Sequence, residues 1–141
     1  MIVLDTNVVS ELTRPDPNPT VVAWFDSLAS DEQYLTAITA AELRYGAARL
    51  PHGRRALAIA EQIELTIGDY EDRVLPFDLA AAEHYGSLVV GRERVGRPLP
   101  TLDAQIASIC AVWHAPLATR NLRDFEGTGI DLIDPWASPA P

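Results

Sequence analysis

Four acidic residues stand where an apolar segment ends or a helix begins, and they carry the chemistry that this sequence offers. They are Asp5, Glu42, Asp103 and Asp124. Carboxylates that cluster without a counter-charge repel one another, and a divalent cation such as Mg²⁺ or Mn²⁺, which prefers oxygen ligands, relieves that repulsion. If folding gathers the four, the pattern indicates metal-assisted attack of water on a phosphodiester bond.

Each of these acids also has a purely structural explanation. Asp5 follows a short apolar run and has the residue type of a helix cap. Thr39 and Glu42 have the spacing of a capping box, in which the glutamate side chain accepts a hydrogen bond from the threonine amide. Asp103 suits the positive end of a helix, and Asp124 suits a turn. The functional interpretation therefore depends on whether the fold brings the four together.

The elements that must position them alternate along the chain as short apolar strands and helices. This alternation predicts a parallel sheet covered on both faces, and in such sheets sites gather at the carboxyl ends of the strands. We predict one domain over residues 1–136 and a disordered tail over residues 137–141. The predicted strands are 2–4, 34–37, 74–77, 116–119 and 131–133, and the main predicted helices cover about 20–29, 39–50, 54–67, 78–90 and 102–113.

Composition excludes several classes of protein. The chain has 141 residues, 48% of them hydrophobic, and no apolar run long enough to predict a membrane span. It carries 20 acidic residues against 11 basic ones, all arginine, and the net charge of −9 argues against a general duplex-binding protein. The single cysteine, Cys110, excludes a disulfide framework and a cysteine-rich zinc site. A protein that acts in the cytoplasm, away from membranes, is the expectation.

Three arginines lie in a segment, residues 91–100, that is predicted to be a loop leading into the helix of Asp103. Arg92, Arg94 and Arg97 are interpreted as a local patch that binds substrate phosphates and offsets the overall negative charge. The alternative is a solvated, charged loop with no role in binding.

Four segments in order, MIVLDTNVVSEL, TAITAAELRYGA, LPTLDAQIASIC and LATRNLRDFEG, resemble the successive motifs of the PIN-domain family. The likeness is greatest to the VapC/FitB-like toxins of bacterial toxin–antitoxin pairs, and it spans almost the whole chain. The resemblance implies a PIN-like three-layer α/β sandwich with a short, mostly parallel sheet of about five strands flanked by helices. It also implies an endoribonuclease that hydrolyses RNA phosphodiester bonds with a metal-activated water.

The resemblance further assigns roles to individual residues. It implies that Asp5, Glu42 and Asp103 hold Mg²⁺ or Mn²⁺ and act in catalysis, with Asp124 as a less regular fourth acid. Some relatives carry an acid where Asn121 stands, so the fourth ligand stays open between Asn121 and Asp124. The residues that match the family as supporting groups are Thr6, Asn7, Thr119 and Asn121.

Partners also follow from the resemblance. It implies a homodimer, a single-stranded or looped RNA substrate that includes tRNA, and a VapB-like antitoxin that forms a higher assembly with the toxin. Such an antitoxin threads along a helical hairpin and blocks the acidic site with a basic side chain. Apolar residues of the predicted hairpin either form that groove or pack the hairpin internally; they are Leu43, Ala47, Leu50, Leu57 and Ala60.

The same residues also fit two other functions. A non-catalytic α/β binding or regulatory module would use the same acids as helix caps. A metal-dependent phosphatase or DNA nuclease would use the same acidic cluster on another phosphoester.

Overall fold

A computed structural model, which describes residues 1–137, shows one sheet of five parallel strands in the order β3-β2-β1-β4-β5. The strands are β1 (Ile2–Leu4), β2 (Gln33–Thr36), β3 (Val74–Leu75), β4 (Leu117–Ala118) and β5 (Leu132–Ile133). The prediction of an α/β sandwich with a parallel sheet of about five strands is confirmed. The predicted disorder of residues 137–141 lies outside the described residues except at Ala137.

Seven α-helices surround the sheet within the described part of the chain. They are α1 (Thr6–Leu12), α2 (Pro19–Asp26), α3 (Ala37–Ala48), α4 (Arg54–Gly68), α5 (Leu79–Arg94), α6 (Thr101–Trp113) and α7 (Leu122–Phe125). None of them combines the length and the apolar character that crossing a bilayer requires.

Two hydrophobic cores make the structure three-layered. Because side chains alternate across a strand, Leu4 enters one core and its neighbour Val3 enters the other. The first core joins α1, α3 and α4, for example through Leu43, and the second joins α5, α6 and α7, for example through Ile106 and Phe125. Helices therefore cover both faces of the sheet.

The register brings three strand ends to one edge. β1 lies at the centre, with Val3 paired to Tyr34 of β2 and to Leu117 of β4. All pairings are parallel, so the chain leaves β1, β2 and β4 on the same side of the sheet. The residues that follow these strands therefore share one rim, which positions the site described below.

Several predicted boundaries are wrong in the second half of the chain. α5 runs to Arg94, so the first four residues of the segment predicted as a loop between Gly91 and Pro100 lie inside a helix. α6 begins at Thr101, one residue before the predicted start, with Pro100 at the capping position, and no side chain caps that helix. The four-residue α7 has no counterpart in the prediction, because four residues are too few to show a helical period.

Candidate active site

A cleft of about 470 Å³ opens at the carboxyl edge of the sheet and is lined by three of the four predicted acids. These three are separated by 37 and 61 positions in the chain (42 − 5 and 103 − 42) and meet only through the fold. The lining residues are Asp5, Thr6, Asn7, Ser10, Glu11, Arg14, Glu42, Asp103 and Asn121.

Asp5 is both a helix cap and part of the cleft. Its Oδ1 accepts a hydrogen bond from the Thr6 amide at 2.8 Å, which caps α1. Its Oδ2 accepts from Thr119 Oγ1 at 2.7 Å and from Asn7 Nδ2 at 3.1 Å. Burial raises the pKa of Asp5 even though these three hydrogen bonds favour the charged form. The two interpretations of Asp5 are therefore compatible.

Thr119 ties the end of β4 to the end of β1. Its side chain is fully buried, and besides donating to Asp5 it accepts from the Asn121 amide at 3.0 Å and from Asn7 Nδ2 at 3.3 Å. Asn7 Oδ1 in turn accepts from the Arg120 amide at 3.1 Å. Thr119 therefore links Asp5, Asn7 and Asn121 through hydrogen bonds of its one hydroxyl.

Glu42 does not take part in a capping box. α3 is capped by Thr36, whose Oγ1 accepts from the Thr39 amide at 3.0 Å, so the helix begins earlier than predicted and Glu42 lies in its second turn. The Glu42 carboxylate instead accepts from Thr6 Oγ1 of α1 at 2.8 Å. Burial, followed by the charge of Asp5, raises the pKa of Glu42.

Asp103 is the acid whose charge is least compensated. It is the third residue of α6, in the first turn as predicted, and it is partly buried. Within residues 1–137 its carboxylate accepts no hydrogen bond from the protein. Burial, and then the negative charges of Asp5, Glu42 and Asp124, raise the pKa of Asp103 to about 6.

The fourth acid stands at the margin of the cleft. Asp124 lies in α7 and is exposed, and its charge contributes to the raised pKa values of both Asp5 and Asp103. Asn121, which immediately precedes α7 and does not cap it with its side chain, lines the cleft itself. Both candidates for the fourth ligand are therefore close to the other three acids.

The chemistry of the donor set fits a hard divalent cation. Among residues 1–137, no group of three or more His, Cys, Asp or Glu side chains lies close enough together to hold a metal ion. Mg²⁺, however, keeps several of its waters and is usually held by one or two carboxylates, so it does not need three. The donors around the cleft are oxygens, and the uncompensated charge of Asp103 is of the sign that a cation relieves.

The three arginines of the predicted patch lie in different environments. Arg92 is 5% exposed and its guanidinium donates to backbone carbonyls of the segment that carries Asp124, so it is not available to a phosphate, contrary to the prediction. Arg97 is exposed and also donates to that segment. Arg94 is exposed at the end of α5. For Arg94 and Arg97, phosphate binding stays a prediction.

The predicted site did not include the rim residues contributed by α1 and by the turn that follows it. Ser10, Glu11 and Arg14 follow Asn7 at intervals of three or four residues, which is the spacing of one helical face and the signal that could have found them. Glu11 is buried and accepts from the Asn18 amide at 2.8 Å and from Arg14 Nη1 at 3.3 Å. The hydrogen bond from Asn18, more than any other cause, lowers the pKa of Glu11.

A second cavity of about 230 Å³ continues from the cleft between α1, α3 and α4. Of the predicted groove residues, Leu43 and Ala47 line this cavity while also belonging to the core, so both alternatives apply to them. Ala60 lines a neighbouring cavity between α3 and α4. Leu57 is 73% exposed. The cleft and this second cavity share Thr6, Ser10 and Glu42.

Comparisons with known proteins agree with this geometry. The family model of the PIN domain matches residues 2–130. The VapC ribonuclease Y4jK of Sinorhizobium fredii is 40% identical over 137 residues, 96% of this chain and 98% of that protein. The toxin FitB of Neisseria gonorrhoeae is 39% identical, over 96% of this chain and 99% of its own. The crystal structure of FitAcB from the same organism matches with a TM-score of 0.90 and 39% identity, covering 96% of this chain and 99% of that one.

Proposed function

Since the chain belongs to the PIN domain family, we propose that it is the ribonuclease toxin of a toxin–antitoxin pair and uses Mg²⁺ or Mn²⁺ to hydrolyse RNA phosphodiester bonds. The observation that carries this proposal is the cleft in which Asp5, Glu42 and Asp103 converge from three separate elements. Asp124 or Asn121 completes the set.

Each residue of the cleft has a distinct task in this proposal. Asp5 and Glu42 hold the cation, and hydrogen bonds from Thr119 and Thr6 fix the directions of their carboxylates. Asp103 adds the third carboxylate from the first turn of α6. When bound, Mg²⁺ or Mn²⁺ activates a water and stabilises charge on the phosphoryl group.

RNA approaches a protein whose overall charge is −9. A negative net charge does not attract the negatively charged RNA backbone, so local contacts must bind the phosphates. Arg14 provides one, because it lines the cleft and its side chain is 62% exposed, with one guanidinium nitrogen, Nη1, donating to Glu11. Unpaired RNA, including tRNA loops, is the substrate we propose, since it can enter a narrow cleft.

The cavity beside the cleft suits a proteinaceous inhibitor. Its apolar wall, formed in part by Leu43, Ala47 and Ile63, can take the apolar face of an antitoxin segment. Because Glu42 belongs to both cavities, a basic side chain at the end of that segment would reach the acids and occupy the place of the cation. We propose that the toxin forms a homodimer and assembles with its antitoxin on this surface.

The test is cleavage of a tRNA pool by the purified protein with Mg²⁺, with Mn²⁺ and with a chelator. We expect cleavage only with metal, and we expect Asp5→Asn to remove it. Glu61→Gln, which neutralises one exposed carboxylate on α4, is the matched control and should cleave like the unmodified protein. Equal cleavage by Asp5→Asn, or cleavage in the chelator, would refute the proposed site.

A parallel assay separates the proposal from its enzymatic alternatives. Single-stranded DNA of matched sequence and a phosphate monoester are offered under the same conditions. Turnover of either one without turnover of RNA would assign the cleft to a different phosphoester.

A further inference from the structure

The end of α5 holds the short helix that carries Asp124. Arg92, in the last turn of α5, is 5% exposed. Its Nη2 donates to the backbone carbonyl of Asp124 at 3.0 Å, and its Nη1 donates to the carbonyl of Glu126. A side chain predicted to bind substrate is thus directed into the protein.

A second guanidinium holds the same segment from the following loop. Arg97 Nη2 donates to the carbonyl of Arg123 at 2.8 Å, and Arg97 Nη1 lies 3.5 Å from the Glu126 carboxylate. A helix of four residues cannot pair its own last carbonyls, so these donors satisfy groups that would otherwise need water.

The backbone turns directly beneath the Arg92 guanidinium. Gly127 has a φ of +77°, in the left-handed region, and a Cβ there would lie 3.7 Å from Arg92 Nη1. On the inner side, Phe125 is 1% exposed and anchors α7 in the core. The segment is therefore held between the core and two arginines.

The burial of Arg92 costs free energy, and hydrogen bonding to the end of a helix does not by itself explain why that cost is incurred. A guanidinium is expensive to bury, and no carboxylate pairs with Arg92 within residues 1–137. Its Nε is buried and has no hydrogen-bond partner in the same part of the chain. Water or a small polar side chain would satisfy the same carbonyls, but neither would fix the distance between α5 and α7.

We propose that Arg92 and Arg97 are positioning residues that hold α7 so that Asp124 faces the cleft. This inference rests on the proposed function and takes Asp124, rather than Asn121, as the residue that completes the metal site. Neither arginine touches the cation in this proposal, and both act on it through the placement of one carboxylate.

The test measures Mn²⁺ binding to the full chain by calorimetry, without any substrate. We expect Arg92→Met, which keeps the aliphatic stem and removes the donors, to weaken binding about 10- to 100-fold, as is usual for groups that orient ligands. Arg97→Met should weaken it less, because Arg92 still holds two carbonyls. Arg94→Gln, which removes the same charge from the same segment, should bind Mn²⁺ like the unmodified chain.

A double-mutant cycle separates positioning from general stability. In an Asp124→Asn background, Arg92→Met and Arg97→Met should cost no further Mn²⁺ affinity, because the carboxylate that they position is gone. The same loss in both backgrounds would overturn the inference. If Arg92→Met fails to fold, the same cycle is measured with Arg97→Met, which changes an exposed residue, and with the conservative Arg92→Lys. Arg92→Lys should retain part of the affinity.

Two single variants distinguish this inference from the proposed function. If Asp5→Asn abolishes Mn²⁺ binding and Asp124→Asn does not weaken it, the metal site stands and the role of Arg92 and Arg97 is overturned. If the unmodified chain binds no Mn²⁺, the proposed function itself fails and the inference falls with it.

Discussion

Removing the charge of Asp103 should stabilise the metal-free protein at neutral pH. The change is Asp103→Asn, which keeps the size of the side chain. The carboxylate is partly buried beside three other acids, and its pKa is raised from 3.8 to about 6 in the folded state. Because the folded pKa lies above the unfolded one, Asp103 stabilises the fold fully only below about pH 4, and that stability is lost as the pH rises through about 6.

The size of the effect follows from the pKa difference. A difference of about two pKa units corresponds to about 3 kcal/mol at most, and solvent screening of a partly exposed group reduces it to about 1–2 kcal/mol. In urea this corresponds to an increase of about 0.5–1 M in the unfolding midpoint of Asp103→Asn. The difference in unfolding midpoint between Asp103→Asn and the unmodified chain should be near zero below pH 4. It should grow between pH 4 and 6 and be constant above pH 7.

The assay is urea unfolding followed by tryptophan fluorescence, with a chelator, from pH 3.5 to 8. Glu61→Gln, the exposed control on α4, should show no gap at any pH. Saturating Mg²⁺ should stabilise the unmodified chain, by about 2.7 kcal/mol at 100 times the dissociation constant, and cancel the advantage of Asp103→Asn. If the difference in unfolding free energy is absent at pH 8, or does not shrink toward pH 4, then burial and the neighbouring acids do not raise the pKa of Asp103 as argued.

Three further outcomes are expected. Thr119→Val should lower the rate of RNA cleavage about 10- to 100-fold by freeing the Asp5 carboxylate, whereas Thr119→Ser should keep most of the rate; equal rates in the two variants would contradict this. Arg14→Gln should raise KM at unchanged kcat. It should also lower the slope of log binding constant against log salt concentration by about 1, measured by titration with a cleavage-resistant RNA. Phe125→Ala should destabilise the fold by about 3–5 kcal/mol in urea unfolding and also weaken Mn²⁺ binding, because it releases α7; a loss of stability at unchanged Mn²⁺ affinity would separate α7 from the metal site.

Local sequence was enough to predict the main elements and the candidate acids. Strand β1 and helix α4 begin where predicted, because an apolar run and a helical repeat are visible within a few residues. The end of a parallel strand is where an acid such as Asp5 can meet others, so the general location of the site followed from the predicted fold class.

Hydrogen-bond partners could not be predicted in the same way. Thr36 and Thr39 are both competent helix caps, and the choice between them depends on where β2 stops pairing with its neighbours. As a result Glu42 lies one turn further along α3, where its partner is Thr6 of another helix. Such contacts span 36 positions and carry no local signal.

The chain by itself determined which residue types are available and which strand ends they follow, because periodicity and turn chemistry act over a few residues. The tertiary structure alone decided that Arg92 faces inward to α7 and that Asp103 stands uncompensated among other acids. The burial and the charge environment of a side chain depend on neighbours distant in sequence, and those neighbours are fixed only when the helices pack on the sheet.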